Sequence, residues 1–366
     1  MTGDTAKKER LFSLDLLRGL DMMLLTLVSA LVLAINKAWP LPEGVLRQFR
    51  HGWECFTFWD IIMPLFIFMC GAAIPLALPR RMENGRAGLK YWRHVFGRVA
   101  LLWFCGMLVQ GNLVTLDPLK IGPFSNTLQS IAVGYLATAC VMLIPRRWVR
   151  FGITASLFAV YALVVHMGGD YTPKGNITAI VEAKVFAAIL PEGSQWLKIG
   201  NYTWILPSMM FAAMTLCGFH ATEILKSGMS PWRKAATLFG CGAASLALGW
   251  VASIWIPVIK PIYTVSFTLQ AMGWCAMSLA LLYALTDVLK WRRGLALPIL
   301  FGQYALTAYM VSHEPFRPAL HSLAESLTRG FPMVFGARVQ PVMTALCVCV
   351  LITLTLVVRK RLKRRD

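Results

Sequence analysis

The sequence predicts an all-α, polytopic integral membrane protein of about ten transmembrane helices, with both termini in the cytoplasm. Hydrophobic residues make up 57% of the 366-residue chain and charged residues only 14%, and the mean hydropathy is +0.60. Apolar segments of about 20 residues, the length that crosses a bilayer as a helix, recur along the whole chain. Basic residues cluster between these segments. We therefore interpret residues 1–366 as a single transmembrane domain.

Apolar runs and the prolines that interrupt them mark the predicted helices. Two longer segments, 168–202 and 317–339, are predicted to form a cap over one side of the bundle. Neither is long or polar enough to be a second domain. The ten predicted spans are 11–35, 55–79, 94–113, 124–145, 148–167, 203–225, 234–257, 263–286, 296–316 and 340–358.

The distribution of Lys and Arg predicts the orientation. With the N-terminus and its Lys7, Lys8 and Arg10 in the cytoplasm, 24 of the 36 basic residues fall on that side, 11 fall on the other, and Arg18 lies within the first span. This bias predicts that both termini are cytoplasmic. The net charge of +19 thus reflects orientation. Nucleic acid is excluded as a partner, because the basic residues form no contiguous face with polar and aromatic readers.

His51 is the leading site residue. It lies just before the second span, and the predicted orientation places it on the outer side. Asp60 follows nine residues later, which is about 13 Å along a helix. A direct pairing would require the chain near Gly52 to fold back, so a structural role for Asp60 stays open beside a catalytic one. His313, near the outer end of the ninth span, lies on the same side and is a second catalytic candidate.

The first span carries three charged residues at intervals of three. Asp15, Arg18 and Asp21 therefore share one broad helix face and can pair along it. Charges inside a span mark a functional interior by default, although a structural ion network explains them equally well. We expect Arg18, with Asp15 beside it and Arg98 at the same depth in the third span, to bind a phosphate-bearing ligand.

The fourth span begins with polar side chains. Asn126 and Gln129 share a helix face, and their amide groups are able to hold a carbonyl oxygen. N-capping of the span by Ser125 or Asn126 is the alternative, and it is compatible with the first role.

Four further residues are expected to contact the substrate on the outer side. Trp53 and Glu54 follow His51, and Lys260 and Ser266 lie where the eighth span begins. No metal site is predicted, because the nine cysteines include no C-x-x-C pair and the chain has no His-x-x-x-His pair.

Five blocks of sequence, in this order, resemble the heparan-α-glucosaminide N-acetyltransferase family of membrane acyltransferases and its bacterial relatives. The resemblance runs over nearly the whole chain and implies acetyl transfer from cytoplasmic acetyl-CoA to an amino sugar on the far side, with His51 at the position of the histidine implicated in transfer. Residues 201–204, on the acceptor side, depart from relatives that carry Asp-Pro-Glu-Gly there. The blocks are residues 13–19, 51–66, 126–135, 260–264 and 309–313.

The residues and the resemblance together predict a transmembrane acyltransferase in the bacterial inner membrane, an N- or O-acetyltransferase with acetyl-CoA as co-substrate and a periplasmic sugar or glycan as acceptor. His51 is expected to act as general base or transient acyl carrier, since an imidazole is largely neutral near pH 7. A secondary transporter of a sugar or organic anion is the alternative, although the two halves show no internal repeat. Membrane lipids are expected around the bundle, and a homodimer is left open.

Overall fold

The structure is a computed structural model that describes residues 11–82, 86–197 and 202–363. The predicted basic N-terminal cluster of Lys7, Lys8 and Arg10 lies outside the described residues. Within those residues the chain is helical and contains no strand, apart from one isolated antiparallel bridge in the loops. The all-α fold class predicted from the sequence is confirmed.

Sixteen α-helices follow one another within the described residues. They are α1 Phe12–Met23, α2 Ser29–Ala38, α3 Glu43–Gln48, α4 Ile62–Ala77, α5 Leu89–Val109, α6 Thr127–Val141, α7 Arg147–Met167, α8 Ile177–Ile189, α9 Ser208–Lys226, α10 Pro231–Ala252, α11 Val265–Tyr283, α12 Ala296–Gln303, α13 Ala305–Val311, α14 Phe316–Thr328, α15 Phe331–Phe335 and α16 Gln340–Leu362. Short π-helical turns continue α1 into α2 and extend α11.

Seven helical segments in the described part of the chain are long and apolar enough to cross a membrane, as a bilayer requires. The protein is therefore a polytopic membrane protein. The segments are Phe12–Ala38, Phe58–Arg81, Arg147–Met167, Ser208–Lys226, Pro231–Ala252, Val265–Val288 and Ala337–Leu362.

The three other predicted spans also form helices, but none meets both requirements. Helix α5 carries basic residues in its first half, and α6 is only 15 residues long. The ninth predicted span is broken at Tyr304 into α12 and α13. The count of ten therefore stays a prediction. The predicted cap segments contain α8, α14 and α15.

Helices α4 and α9 form the centre of the bundle, and glycines set their separation. A Cβ atom added to Gly71 would lie 1.8 Å from the Thr215 carbonyl oxygen, and one added to Gly218 would lie 1.9 Å from that of Phe68. Only glycine allows these backbones to approach so closely, as is common between membrane helices. This contact fixes α4, which begins directly after the site residue Asp60.

The N-terminus of α1 is held by a carboxylate from the far end of α11. Asp287 accepts hydrogen bonds from the backbone N–H groups of Phe12 at 3.0 Å and Ser13 at 2.9 Å. These groups have no partner within their own helix, and the carboxylate also compensates the positive end of the helix dipole. Asp287 thereby anchors the helix that carries Asp15 and Arg18.

Candidate functional site

His51 and Asp60 are directly paired. The His51 Nδ1 atom lies 2.7 Å from Asp60 Oδ1. Residues 51–57 form an irregular loop and the helical turn begins only at Phe58, so the helical spacing of about 13 Å expected from the sequence is wrong. The chain folds back near Gly52, as direct pairing requires.

Asp60 is held in place by Thr57. The Thr57 backbone N–H and hydroxyl both donate to Asp60 Oδ2, each at 2.8 Å, which forms a capping box at the start of the second span. One carboxylate oxygen therefore closes the turn, while the other faces His51. Asp60 combines the structural and the site roles that the sequence left as alternatives.

Lys260 completes the cluster. Its Nζ atom lies 3.2 Å from Asp60 Oδ1 and 3.4 Å from His51 Nδ1. The antiparallel bridge between Glu54 and Ile259 holds the Lys260 loop against the His51 loop. The side chains of Asp60 and Lys260 are only 2% and 6% exposed, whereas that of His51 is 40% exposed. The ion pair is thus buried beneath an accessible imidazole.

These distances decide which nitrogen of His51 is available. The Asp60 contact at 2.7 Å is shorter than the Lys260 contact at 3.4 Å, and a carboxylate only accepts. The Nδ1 atom therefore carries the proton and donates it to Asp60, while the ammonium group of Lys260 donates to the same carboxylate. This leaves the lone pair on Nε2, which makes no hydrogen bond within the described residues. A carboxylate that orients an imidazole in this way also stabilises the imidazolium.

Burial and a neighbouring charge act in opposite directions on the pKa of Lys260, which lies in the loop before α11. Burial lowers the pKa of Lys260 below its ordinary value, and the Asp60 carboxylate opposes that shift. A buried ammonium group needs such a partner, because an unpaired charge in this environment is expensive.

A cavity of about 670 Å³ adjoins the cluster and is lined by His51, Lys260 and His313, among others. We call it the His51 cavity. The His313 ring stacks on Tyr309 at 4.2 Å, and its Nδ1 atom lies 2.9 Å from the Tyr309 carbonyl oxygen. The structure thus brings the two predicted histidines to one cavity.

Aromatic side chains from the end of the predicted cap segment and the residues after it line the same cavity. The Tyr202 ring meets the His51 ring edge-on at 6.4 Å and lies against the Trp204 ring at 6.1 Å. Burial raises the pKa of the Tyr202 phenol above its ordinary value, so the hydroxyl stays protonated at neutral pH. Both residues belong to the segment that departs from the resembled family, whose first residue, Asn201, lies outside the described residues.

Glu182, on α8 in the cap, adds a carboxyl group to this cavity. It accepts hydrogen bonds from the backbone N–H groups of Trp204 and Ile205. Burial raises the pKa of Glu182 from its ordinary value near 4.5 to about 7, although the two hydrogen bonds act in the opposite direction. The group therefore changes charge close to neutral pH.

We expect Glu182→Gln to stabilise the protein above pH 7 and to have little effect at pH 4 to 5. Between the ordinary pKa and the raised one, the folded state binds more protons than the unfolded state, so the wild type loses stability as the pH rises through this interval. Glutamine still accepts both backbone hydrogen bonds and never ionises. The gain is roughly 3 kcal/mol at most, measured as the difference in thermal unfolding between pH 5 and pH 8.

The matched control is Glu192→Gln, which changes an exposed carboxylate in the same cap and should give no pH-dependent gain. A Glu182→Gln gain of equal size at both pH values would contradict this account of the carboxyl group.

Two further cavities continue from the first, one after the other. A middle cavity of about 250 Å³ contains Arg18 and Arg98 in its wall and shares Phe66, Thr127 and Tyr309 with the His51 cavity. The two predicted arginines therefore do meet in one place. Arg98 also lies over the Tyr135 ring, 4.8 Å from its centre.

A third cavity, the basic cavity, has a volume of about 1000 Å³ and is lined by Arg81, Lys90 and Arg93 as well as by Arg98. It shares Arg98, Leu102 and Leu306 with the middle cavity. The three cavities thus form a row from a cationic end to the His51 cluster.

The charged residues of the first span are only partly paired. Arg18 lies 3.8 Å from Asp15, as expected from their spacing, but Asp15 does not line the middle cavity. The carboxyl oxygens of Asp21 are buried and have no hydrogen-bond partner within the described residues. The predicted pairing along the face therefore does not extend to Asp21 as a hydrogen bond.

Asn126 and Gln129 do not line the His51 cavity, and the role expected for them as carbonyl donors is corrected. The Asn126 oxygen caps α6 by accepting from the backbone N–H groups of Leu128 and Gln129, which is the capping alternative. The Gln129 oxygen accepts from the Ser125 N–H at 2.8 Å, and its amide nitrogen donates to the Pro123 carbonyl at 2.7 Å. Both amides are used to build the helix start.

Three of the four predicted substrate contacts also have structural partners instead of lining the cavity. The Trp53 indole donates to the Tyr171 carbonyl at 2.9 Å, and Glu54 makes the bridge that positions the Lys260 loop. Ser266 is fully buried and donates to the Pro257 carbonyl at 3.0 Å. Lys260 alone lines the cavity, as part of the cluster under His51.

Sequence reasoning missed Glu182, Tyr202 and Thr57. A carboxylate inside the apolar segment 177–189 was a signal for Glu182, because ionisable groups in apolar runs mark functional positions. Thr57 stands three residues before Asp60, the spacing of a capping box. Nothing in the sequence alone connected Tyr202 with His51, which lies about 150 residues earlier in the chain.

Comparisons with known proteins add one match. Residues 10–115 match a family described as a domain of unknown function, DUF5009. This part of the chain contains helices α1 to α5, the loop and turn with His51 and Asp60, and both arginines of the middle cavity. Among curated proteins, none matches the chain.

Proposed function

We propose that this protein is a transmembrane acyltransferase that moves an acetyl group from acetyl-CoA to an amino or hydroxyl group of a sugar or glycan on the opposite side of the membrane. The observation that carries the proposal is the row of three cavities, which begins among basic side chains and ends at the exposed imidazole of His51. The oriented His–Asp pair beside this cavity supplies a general base for acyl transfer, whereas in a transporter such a pair would serve as a proton relay.

The basic cavity suits the phosphate groups of CoA. Arg81, Lys90 and Arg93 supply positive charge at its wall, and Arg98 lies where this cavity meets the next. Guanidinium groups bind phosphates through paired hydrogen bonds. The pantetheine arm of CoA would pass through the middle cavity and place its thioester in the His51 cavity.

The orientation follows the positive-inside rule. The basic cavity is built from the predicted cytoplasmic segment 80–98, and His51 lies in a predicted outer loop. With both termini in the cytoplasm of a bacterial inner membrane, the donor enters from the cytoplasm and the acceptor from the periplasm. In this arrangement the ten predicted helices form the barrier between the two substrates.

His51 supplies the base. As the acceptor nitrogen or oxygen attacks the thioester carbon, His51 Nε2 takes its proton, and Asp60 stabilises the imidazolium through Nδ1–H. When the carbon–sulfur bond breaks, the CoA thiolate takes that proton. A transient acyl group on His51 begins from the same Nε2 lone pair. The aromatic rings of Tyr202 and Trp204 would hold the acceptor sugar.

Binding of CoA is tested by thermal unfolding of the purified protein. We expect acetyl-CoA and CoA to raise the unfolding temperature, because a ligand at 100 times its Kd adds about 2.7 kcal/mol to the folded state. Arg98→Gln should weaken this stabilisation. Arg338→Gln is the matched control, because Arg338 is exposed and lies in the predicted cap, on the other side of the bundle from the basic cavity. If neither CoA compound stabilises the wild type, the transporter alternative is favoured instead.

A further inference from the structure

The N-terminus of α6 forms part of the wall of the His51 cavity. Ser125 and Thr127 line this cavity, and Thr127 also lines the middle cavity. Helix α6 spans 15 residues from Thr127, so its first turn presents backbone N–H groups and the positive end of a helix dipole. Such a helix start favours a negatively charged oxygen.

The hydroxyl group of Ser125 is unused. Ser125 is 7% exposed, and its Oγ atom has no hydrogen-bond partner within the described residues. A buried hydroxyl without a partner costs free energy that most folded proteins avoid. The backbone around it is firmly held, since the Ser125 N–H donates to Gln129 Oε1. The unpartnered hydroxyl thus belongs to a firmly held residue of the cavity wall.

The cap of α6 leaves one backbone donor available as well. The Asn126 oxygen takes the N–H groups of Leu128 and Gln129, and its amide nitrogen donates to the Gly106 carbonyl at 2.6 Å. A Cβ atom on Gly106 would lie 2.8 Å from the Asn126 oxygen, so glycine is required for this contact. The Asn126 side chain accepts no hydrogen bond from the N–H of Thr127, the first residue of the helix.

We propose that the Ser125 hydroxyl and the Thr127 backbone N–H form an oxyanion site for the thioester carbonyl of the acyl donor. This inference rests on the proposed acyl transfer. When the acceptor attacks the carbonyl carbon, the electron pair of the C=O bond moves to its oxygen, which accepts hydrogen bonds from both donors. The pair returns as the carbon–sulfur bond breaks, and the thiolate leaves with the proton from His51.

Asn126 and Gln129 act in this reaction as positioning residues. They bond the turn on which Ser125 and Thr127 lie, and their own side chains stay out of the cavity. The groups that donate to the carbonyl oxygen are therefore the two chain neighbours of Asn126, and not the amides that the sequence suggested.

The test compares Ser125→Ala with the wild type in detergent, with acetyl-CoA as donor and glucosamine as probe acceptor. A second assay omits glucosamine and measures the slow transfer of the acetyl group to water. We expect kcat to fall about 10²- to 10³-fold with the KM for acetyl-CoA nearly unchanged. The unfolding temperature and its rise with CoA should persist, because the lost hydroxyl has no partner in the fold. In bound acetyl-CoA labelled with ¹³C, the carbonyl stretch should move to higher frequency in the variant.

Thr138→Val is the matched control, since the Thr138 hydroxyl is buried and unpartnered on the same helix but does not line the cavity. It should leave kcat and the carbonyl frequency unchanged. If the wild type transfers acetyl and Ser125→Ala has the same kcat and carbonyl frequency as the wild type, the oxyanion site is overturned. The proposed function is unaffected by that result. Loss of CoA stabilisation in Ser125→Ala would overturn it too, since the residue would then act in donor binding. A wild type without any acetyl transfer would overturn both proposals.

Discussion

Replacing His51 with alanine should greatly slow acetyl transfer while leaving the protein folded and able to bind CoA. We expect transfer to fall by about 10²- to 10⁴-fold, which is the usual contribution of a positioned general base. The fold should survive because the buried pair of Asp60 and Lys260, at 3.2 Å, does not depend on the imidazole. The measurements are the rate of labelled acetyl transfer from acetyl-CoA and the rise of the unfolding temperature with CoA.

His321→Ala is the control for this variant. His321 is an exposed histidine on α14 whose nearest charged partner is Glu325 at 3.9 Å, and it does not line the His51 cavity. The control should transfer acetyl at the wild-type rate. A His51→Ala protein that transfers at that rate would refute the role of the imidazole, whatever the donor.

Asp60→Asn should lower both stability and transfer. It leaves the buried Lys260 ammonium without a carboxylate, which costs about 3–5 kcal/mol in comparable buried pairs. It also allows the asparagine amide to donate to His51 Nδ1, which moves the proton to Nε2 and removes the reactive lone pair. A corresponding exchange in a serine protease lowers kcat about 10⁴-fold. Thermal unfolding and transfer rate measure the two effects separately.

A double variant separates charge burial from catalysis. Asp60→Asn combined with Lys260→Met removes the unpaired charge, so stability should return towards that of the wild type while transfer stays low. Lys260→Met alone keeps the 2.7 Å contact between His51 and Asp60 and should transfer much faster than the double variant. Recovery of transfer in the double variant would show that Asp60 acts only by pairing with Lys260.

The sequence was sufficient for the parts of the fold that depend on composition. Long apolar runs predicted the helices, and prolines and polar loops predicted most of their ends. The break at Tyr304 was not predicted, although Gly302 lies two residues before it. The short α6 was also missed, since the apolar run 124–145 continues beyond the residues that keep helical geometry.

The site was predictable by residue type but not by contact. His51, Asp60 and Lys260 were each identified, yet their meeting depends on an irregular loop over residues 51–57 and on the bridge between Glu54 and Ile259. Loop geometry of this kind is set by tertiary contacts and leaves no periodic signal in the sequence. The spacing of nine residues was therefore interpreted as helical distance, which was wrong.

Asn126 and Gln129 illustrate a second limit. Amides at a helix start suit both capping and ligand binding, and the sequence does not distinguish them. Burial decides, because both side chains are almost fully enclosed and hydrogen-bonded to backbone groups. Cavities formed by distant segments, such as the wall shared by Phe66, Thr127 and Tyr309, likewise follow only from the packed bundle.

The most direct test of transfer across the membrane uses the purified protein in sealed lipid vesicles. Labelled acetyl-CoA and glucosamine are supplied either on opposite sides of the bilayer or together outside, with the vesicles otherwise empty. We predict acetylated glucosamine only when donor and acceptor are separated by the bilayer, with the product on the acceptor side and its formation at least about 10²-fold slower in vesicles carrying His51→Ala. Equal product formation with both substrates outside would contradict the account.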